Sequence, residues 1–125
     1  MMFVIPADPI PLARPRVVGG HAFLPPRSRQ YRQLIQTFVM AQMIKAKLAP
    51  MAGELVCKLK FFRTRPVTAP NYGDIDNLAK AVLDALSGLL YSDDRQIVSL
   101  TAEKFTDRQN PRAEILIETK NFADP

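Results

Sequence analysis

The chemistry that this sequence offers is concentrated in two groups of aspartates. Gly73-Asp74-Ile75-Asp76-Asn77-Leu78-Ala79-Lys80 sets two carboxylates one residue apart, with a lysine four residues after the second, and Asp93-Asp94 follows downstream. Gly73 permits a tight turn. Asp74 falls at a helix start and Asp76 in its first turn, where the helix dipole favours a negative charge by about 0.3–1 kcal/mol. By themselves they read as acids on a solvated helix start. Asp76 and Lys80 share a helix face, and as an exposed ion pair they are worth at most about 0.5 kcal/mol. The downstream pair changes this reading. If the strand after it lies beside the helix start, Asp94 returns to Asp74 and Asp76. Three converging carboxylates repel unless a cation joins them, and Lys80 alone does not neutralise three. The chain has one cysteine, Cys57, and one histidine, His21, which excludes a His-rich site and all but excludes structural zinc. The expected ion is therefore oxygen-bound, which points to Mg²⁺, Mn²⁺ or Ca²⁺, and of these Mg²⁺, with Mn²⁺ as a possible substitute, is the expected cofactor. Such an ion assists phosphodiester hydrolysis by polarising the phosphate, acidifying a bound water and stabilising the leaving 3′ oxygen. Lys80 would offset the charge that grows on the phosphate.

The charge of the chain is uneven. Residues 1–65 hold 11 Lys/Arg against two acids, and residues 66–125 hold six against ten. A basic half suits a polyanion. The DNA-contact candidates are Arg14 and Arg16 in the early Pro-rich stretch, ahead of Arg27, Arg29 and Arg32, and a second patch of Lys58, Lys60, Arg63 and Arg65. A substrate backbone would bind there mainly through its phosphates.

The elements that must position these residues can be read from the pattern. At 125 residues, nearly half of them apolar, one domain spanning 1–125 is expected. Met2–Ile5 reads as a strand. Pro6, Pro9, Pro11 and Pro15 then break regular structure, Gly19-Gly20 marks a turn, and Ala22–Leu24 reads as a brief strand. Ser28 to Leu48 is helical, with Ser28 as N-cap and Tyr31, Leu34, Ile35, Phe38, Val39 and Ile44 near one face. A strand runs from Gly53 to Phe62, in which Leu55, Cys57, Leu59 and Phe61 alternate with a basic outer face. Cys57 is expected to be a buried small hydrophobe, not a reactive thiol. Asp74 to Leu86 is a second helix, with Leu78, Val82, Ala85 and Leu86 on its core side. Ile97–Phe105 and Ala113–Glu118 are strands joined through Asn110-Pro111, read as a hairpin. The class is α+β: two main helices and a small mixed sheet, partly antiparallel. The N-terminus lacks the pattern of a signal peptide and no apolar run has membrane-spanning length, so a soluble cytoplasmic, nucleoid-associated protein with no membrane partner is expected.

At the acidic residues the chain resembles the RusA family of Holliday-junction resolvases. The resemblance is carried by Asp74-Ile75-Asp76-Asn77, by Lys80 four residues after the second aspartate, and by Asp93-Asp94-Arg95-Gln96-Ile97-Val98 ahead of a strand. Asn77 through Leu86 also fits, as does Arg14-Pro15-Arg16 followed by a Gly-rich turn and a long helix. The resemblance implies an intertwined homodimer that binds four-way DNA junctions by shape and resolves them by paired nicks in recombination and repair. It implies metal binding by Asp74, Asp76 and Asp94, with Lys80 as the catalytic lysine. Some family members carry a denser arginine run before the first aspartate, where this chain has only Arg63 and Arg65. A two-fold dimer suits a pseudo-two-fold junction.

Around that core, Asp93, Asn77 and Asp84 are candidates to support the ligands, each with a plain structural alternative. Tyr72 reads either as a stacking ring for an unpaired base or as loop packing, and His21 as a loop residue without a chemical role. Two other functions compete: a nuclease acting on forks, flaps or other branched DNA, and a basic DNA-binding module without catalysis. Against the module, a pure binder gains nothing from four acids facing a polyanion.

Overall fold

The computed structural model describes residues 1–13 and 16–120. Arg14 lies outside them, and for Arg16 only the backbone is described. The strands are β1 (Met2–Ile5), β2 (Arg16–Val18), β3 (His21–Phe23), β4 (Leu55–Arg63), β5 (Ile97–Thr106) and β6 (Arg112–Thr119); the helices are α1 (Pro26–Ala46) and α2 (Ile75–Leu86). This is an α+β fold. Its main sheet has the order β1-β6-β4-β5, with β2 and β3 forming a separate hairpin around Gly19-Gly20. The Pro-broken stretch thus contributes one strand, β2, that its composition hid.

β4 takes the centre because its alternation is the cleanest in the chain: Leu55, Cys57, Leu59, Phe61 and Arg63 are all buried on one face. It pairs antiparallel with β6 and parallel with β5. The expected hairpin between the last two strands is therefore not formed, since β4 lies between β5 and β6. Both helices bring their apolar faces to the core that the buried sheet face lines. α1 contributes Tyr31, Ile35, Val39 and Met43, while Ile44, expected on that face, is 72% exposed. Ser28 is not the N-cap of α1. Pro25 holds that position, and Ser28 is buried inside the first turn, where its hydroxyl accepts a hydrogen bond from the Ala13 N–H at 3.2 Å. Cys57 is fully buried, and burial pushes its thiol up to about 11, as expected of a packing residue. No helix among the described residues is long and apolar enough to cross a membrane.

Candidate active site

The start of α2 is built by close packing. Gly73 has φ +97°, and a Cβ there would meet Pro11 Cγ at 3.0 Å. One turn on, Asn77 O accepts the Leu12 N–H at 3.0 Å. The Pro-rich segment thus buttresses the turn from which the acids project. Asp74 is the N-cap residue by position, yet its carboxylate makes no capping bond, and Asp76 accepts only its neighbour Asn77's N–H at 2.9 Å among the described residues. Asp74, Asp76 and Lys80 are all exposed. Lys104 of β5 joins them: its ammonium lies 3.4 Å from Gly73 O and 4.9 Å from the centre of the Tyr72 ring. Tyr72 itself is fully buried. Its hydroxyl is 2.9 Å from Phe61 O and accepts the Phe105 N–H, so it packs the loop and is not open to a base.

The opposite end of α2 holds the downstream acids. Asp94 opens a single 3₁₀ turn, Asp94–Gln96, and Asp93 caps it by accepting the Arg95 N–H at 2.8 Å, with Gln96 Oε1 accepting the Asp93 N–H in return. The hydrogen bonds from Arg95, backbone first, hold the Asp93 carboxyl below the usual range. Asp93 is thus committed to the turn. Asp94 points instead to the buried Tyr91, whose hydroxyl lies 3.0 Å from Asp94 Oδ1 and 2.9 Å from Leu83 O. Asp84 is close by. Burial, then the Asp94 charge, push its carboxyl up, against Lys80 and Arg32, which pull it down.

These positions separate what the sequence was expected to bring together. The Tyr91 hydroxyl ties Asp94 to the Leu83 carbonyl, about two helical turns along α2 from Asp76. Among the described residues no three His, Cys, Asp or Glu side chains lie close enough together to hold a metal ion. A single chain offers a carboxylate pair at each end of α2, not a triad.

The basic candidates divide as well. Arg63 is only 2% exposed. It makes two bonds to Asp8, 3.1 Å and 3.0 Å, and donates to Tyr72 O. It is a buried structural cation, not a DNA contact. Arg65 is half-buried, 3.9 Å from the same Asp8, and donates to Asn71 O at 2.8 Å. Lys58 and Lys60 are exposed on the open sheet face, but Lys60 lies in register between Glu103 and Glu114, so that face carries mixed charge. A concavity of about 670 Å³ includes Arg27, Arg63, Arg65 and Asn71 in its lining but none of Asp74, Asp76 or Asp94. Three residues with clear roles escaped the sequence reading, Asp8, Tyr91 and Lys104. For Lys104 the signal was its phase, because it faces the same side as Phe61.

Comparison with known proteins bears on this arrangement. The family model described as Endodeoxyribonuclease RusA matches residues 6–118. The uncharacterized protein YqaN of Bacillus subtilis (strain 168) is 47% identical over 53 residues, which are 42% of this chain. The matched stretch spans 34% of the length of YqaN.

Proposed function

The chain belongs to the RusA endodeoxyribonuclease family, and from that premise we propose that it is a Mg²⁺-dependent endonuclease that resolves four-way DNA junctions by paired nicks, acting as a homodimer in recombination and repair. The observation that carries this reading is the start of α2. Two carboxylates stand exposed there with few partners of their own, on a turn locked by Gly73 and Pro11, with Lys80 four residues on and Lys104 against the turn. A polyanion does not approach exposed acids without a counter-charge, which favours a divalent ion shared between protein and phosphate. Bound there, such an ion would supply phosphate polarisation and an acidified water. One chain does not gather three ligands for it, so the reading assigns no catalytic step to an ion held by a lone chain. It assigns Asp74, Asp76 and Asp94 to metal binding and Lys80 to the phosphate.

The test is cleavage of a synthetic four-way junction with Mg²⁺, with Mn²⁺ and with EDTA, alongside forks, flaps and linear duplex. Symmetric nicks on the junction that EDTA abolishes are expected. Equal cutting of forks or flaps would move the substrate class, and binding with no cutting under any divalent ion would leave only a DNA-binding module.

A further inference from the structure

Away from the acidic residues, positive charge gathers where α1 begins. Pro25 and Pro26 start the helix, neither with an N–H, and no side chain caps it. No acid stands in the first turn. Arg27 stands there instead, exposed, although the helix dipole disfavours a cation at that end. Among the described residues no carboxylate pairs with it. The concavity of about 670 Å³ runs from this turn to the loop before α2, where Arg65 and Asn71 line it. Arg63 takes both oxygens of Asp8, and Arg65 stands 3.9 Å from the same carboxylate. Three arginines thus line the hollow beside one acid, which Arg63 already holds.

A second observation lies one turn along α1. Tyr31 is 5% exposed, and its hydroxyl has no hydrogen-bond partner among the described residues. It lines a hollow of about 290 Å³ that shares Ile10 and Arg27 with the first. Buried hydroxyls are nearly always bonded, because an unpaired one forfeits its hydration. Burial, then the Asp8 charge, push the Tyr31 hydroxyl up, against Arg63, so it keeps its proton and is a donor. A guanidinium and a hydroxyl that both lack an acceptor call for the same partner, an anion with several oxygens. The walls of the concavity include Ile10, Pro11, Pro25 and Pro26, which suit the apolar face of a sugar.

We infer that these adjoining hollows seat the phosphodiester backbone of one DNA strand outside the acidic site, with Arg27 and Arg65 carrying the charge and the Tyr31 hydroxyl donating a bond. The inference rests on the nuclease reading for its partner, DNA. Pro11 lines the concavity and also packs against Gly73, so the seat and the acidic turn are two sides of one wall. A strand held there runs on toward Asp74, and the seat aligns the phosphate to be cut. Contacts of this kind fix the register of the DNA without reading its sequence.

Fluorescence anisotropy of a labelled four-way junction, in EDTA and over a range of KCl, tests the seat without any cutting. Arg27→Gln and Arg65→Gln should each weaken binding about 5–10-fold and lower the salt slope by about one. Lys45→Gln removes the same charge at the far end of α1 and should move neither. Tyr31→Phe should bind more weakly yet melt at or above the wild-type temperature, since no hydroxyl is left orphaned. A Tyr31→Phe protein that melts lower and binds as before makes that hydroxyl structural and overturns its place in the seat. Arg27 is exposed, so Arg27→Gln folds whatever becomes of Arg65. If it keeps the wild-type affinity and salt slope, the seat is overturned, and nicking by the wild type still upholds the nuclease reading. The expected losses in a protein that never nicks do the reverse. Inorganic phosphate, compared with chloride at equal ionic strength, separates the sources of the anion. Heat protection of the wild type but not of Arg27→Gln, with equal DNA affinity, assigns the hollow to free phosphate and overturns the DNA contact.

Discussion

Asp8 and Asp76 are both carboxylates beside cations, and their surroundings differ in kind. Asp8 meets Arg63 through two oxygens, with Arg65 also near, and Arg63 also donates to Tyr72 O. Every charge in that knot is answered within the chain. At the start of α2, Asp74 makes no capping bond and Asp76 accepts one local N–H among the described residues, while the nearest helix cation, Lys80, stands exposed. The knot is complete and the acidic site is not. A fold places exposed, under-partnered acids on a locked turn at a cost in repulsion, and that arrangement persists where something outside the chain answers the charge.

The sharpest way to break this comparison is to neutralise one carboxylate in each region. Asp76→Asn should lower junction nicking by at least about 10³-fold, because an electrostatic contribution made at the reacting phosphate is lost. Folding stability should be unchanged, and junction affinity equal or higher, since a charge facing a polyanion is gone. Single-turnover cleavage with gel-shift binding and thermal melts measures all three. A variant that cuts normally removes Asp76 from the site. The knot should fail in the other currency. Arg63→Met strands Asp8 and Tyr72 O, and removing one partner of a buried pair costs about 3–5 kcal/mol. Asp8 is 33% exposed, which holds the loss near the lower end. Urea unfolding of Arg63→Met, Asp8→Asn and the double variant should give strongly non-additive losses. A loss under about 1 kcal/mol would return Arg63 to the list of free surface cations.

Next in size is the turn that links the two regions. Gly73 combines a left-handed φ with contact to Pro11, so Gly73→Ala should cost about 1–3 kcal/mol. Because the same turn aims Asp74, nicking should fall further than stability alone explains at a temperature where the variant is fully folded. Cleavage in proportion to the folded fraction would show that the turn holds structure only.

These contrasts also explain what could be read without coordinates. The helices, β1, β4 and the acidic motif were legible because local pattern decides them: 3.6-residue spacing in α2, strict alternation in β4, and Asp-x-Asp-Asn at a glycine turn. Arg63 was misread although the alternation of β4 put it in the buried phase, because its charge was weighed above its phase. The hairpin of β5 and β6 was expected from their short connection, a local cue. Their actual order follows from a non-local fact, that β4 alone has five buried positions in a row of alternate residues and so takes the centre. Asp94 was expected beside Asp76 because chemistry wanted it there. Its true anchor, the buried Tyr91 hydroxyl at the far end of α2, depends on which turn follows the helix, and no spacing in the sequence records that.

The smallest effect separates acids by pH. Asp107 accepts the Gln109 N–H, a bond from Arg112 and the Asn110 N–H, and these hold its carboxyl below the ordinary range. A depressed folded pKa adds stability that is present above the unfolded value and is lost as pH falls through the folded one. Asp84 has the opposite sign. Burial first and Asp94 second raise its carboxyl, so its favourable contribution is complete below the ordinary carboxylate pKa and is lost as pH rises through the raised value. Asp84→Asn should therefore be slightly more stable than wild type at neutral pH, and the gain should shrink as pH falls from about 7 to about 4, where wild-type Asp84 becomes protonated. Urea midpoints of the two proteins across that range decide it. A difference that stays constant with pH would mean that the Asp94 charge and burial do not act on Asp84, and that Asp94 does not stand where Tyr91 holds it in the lone chain.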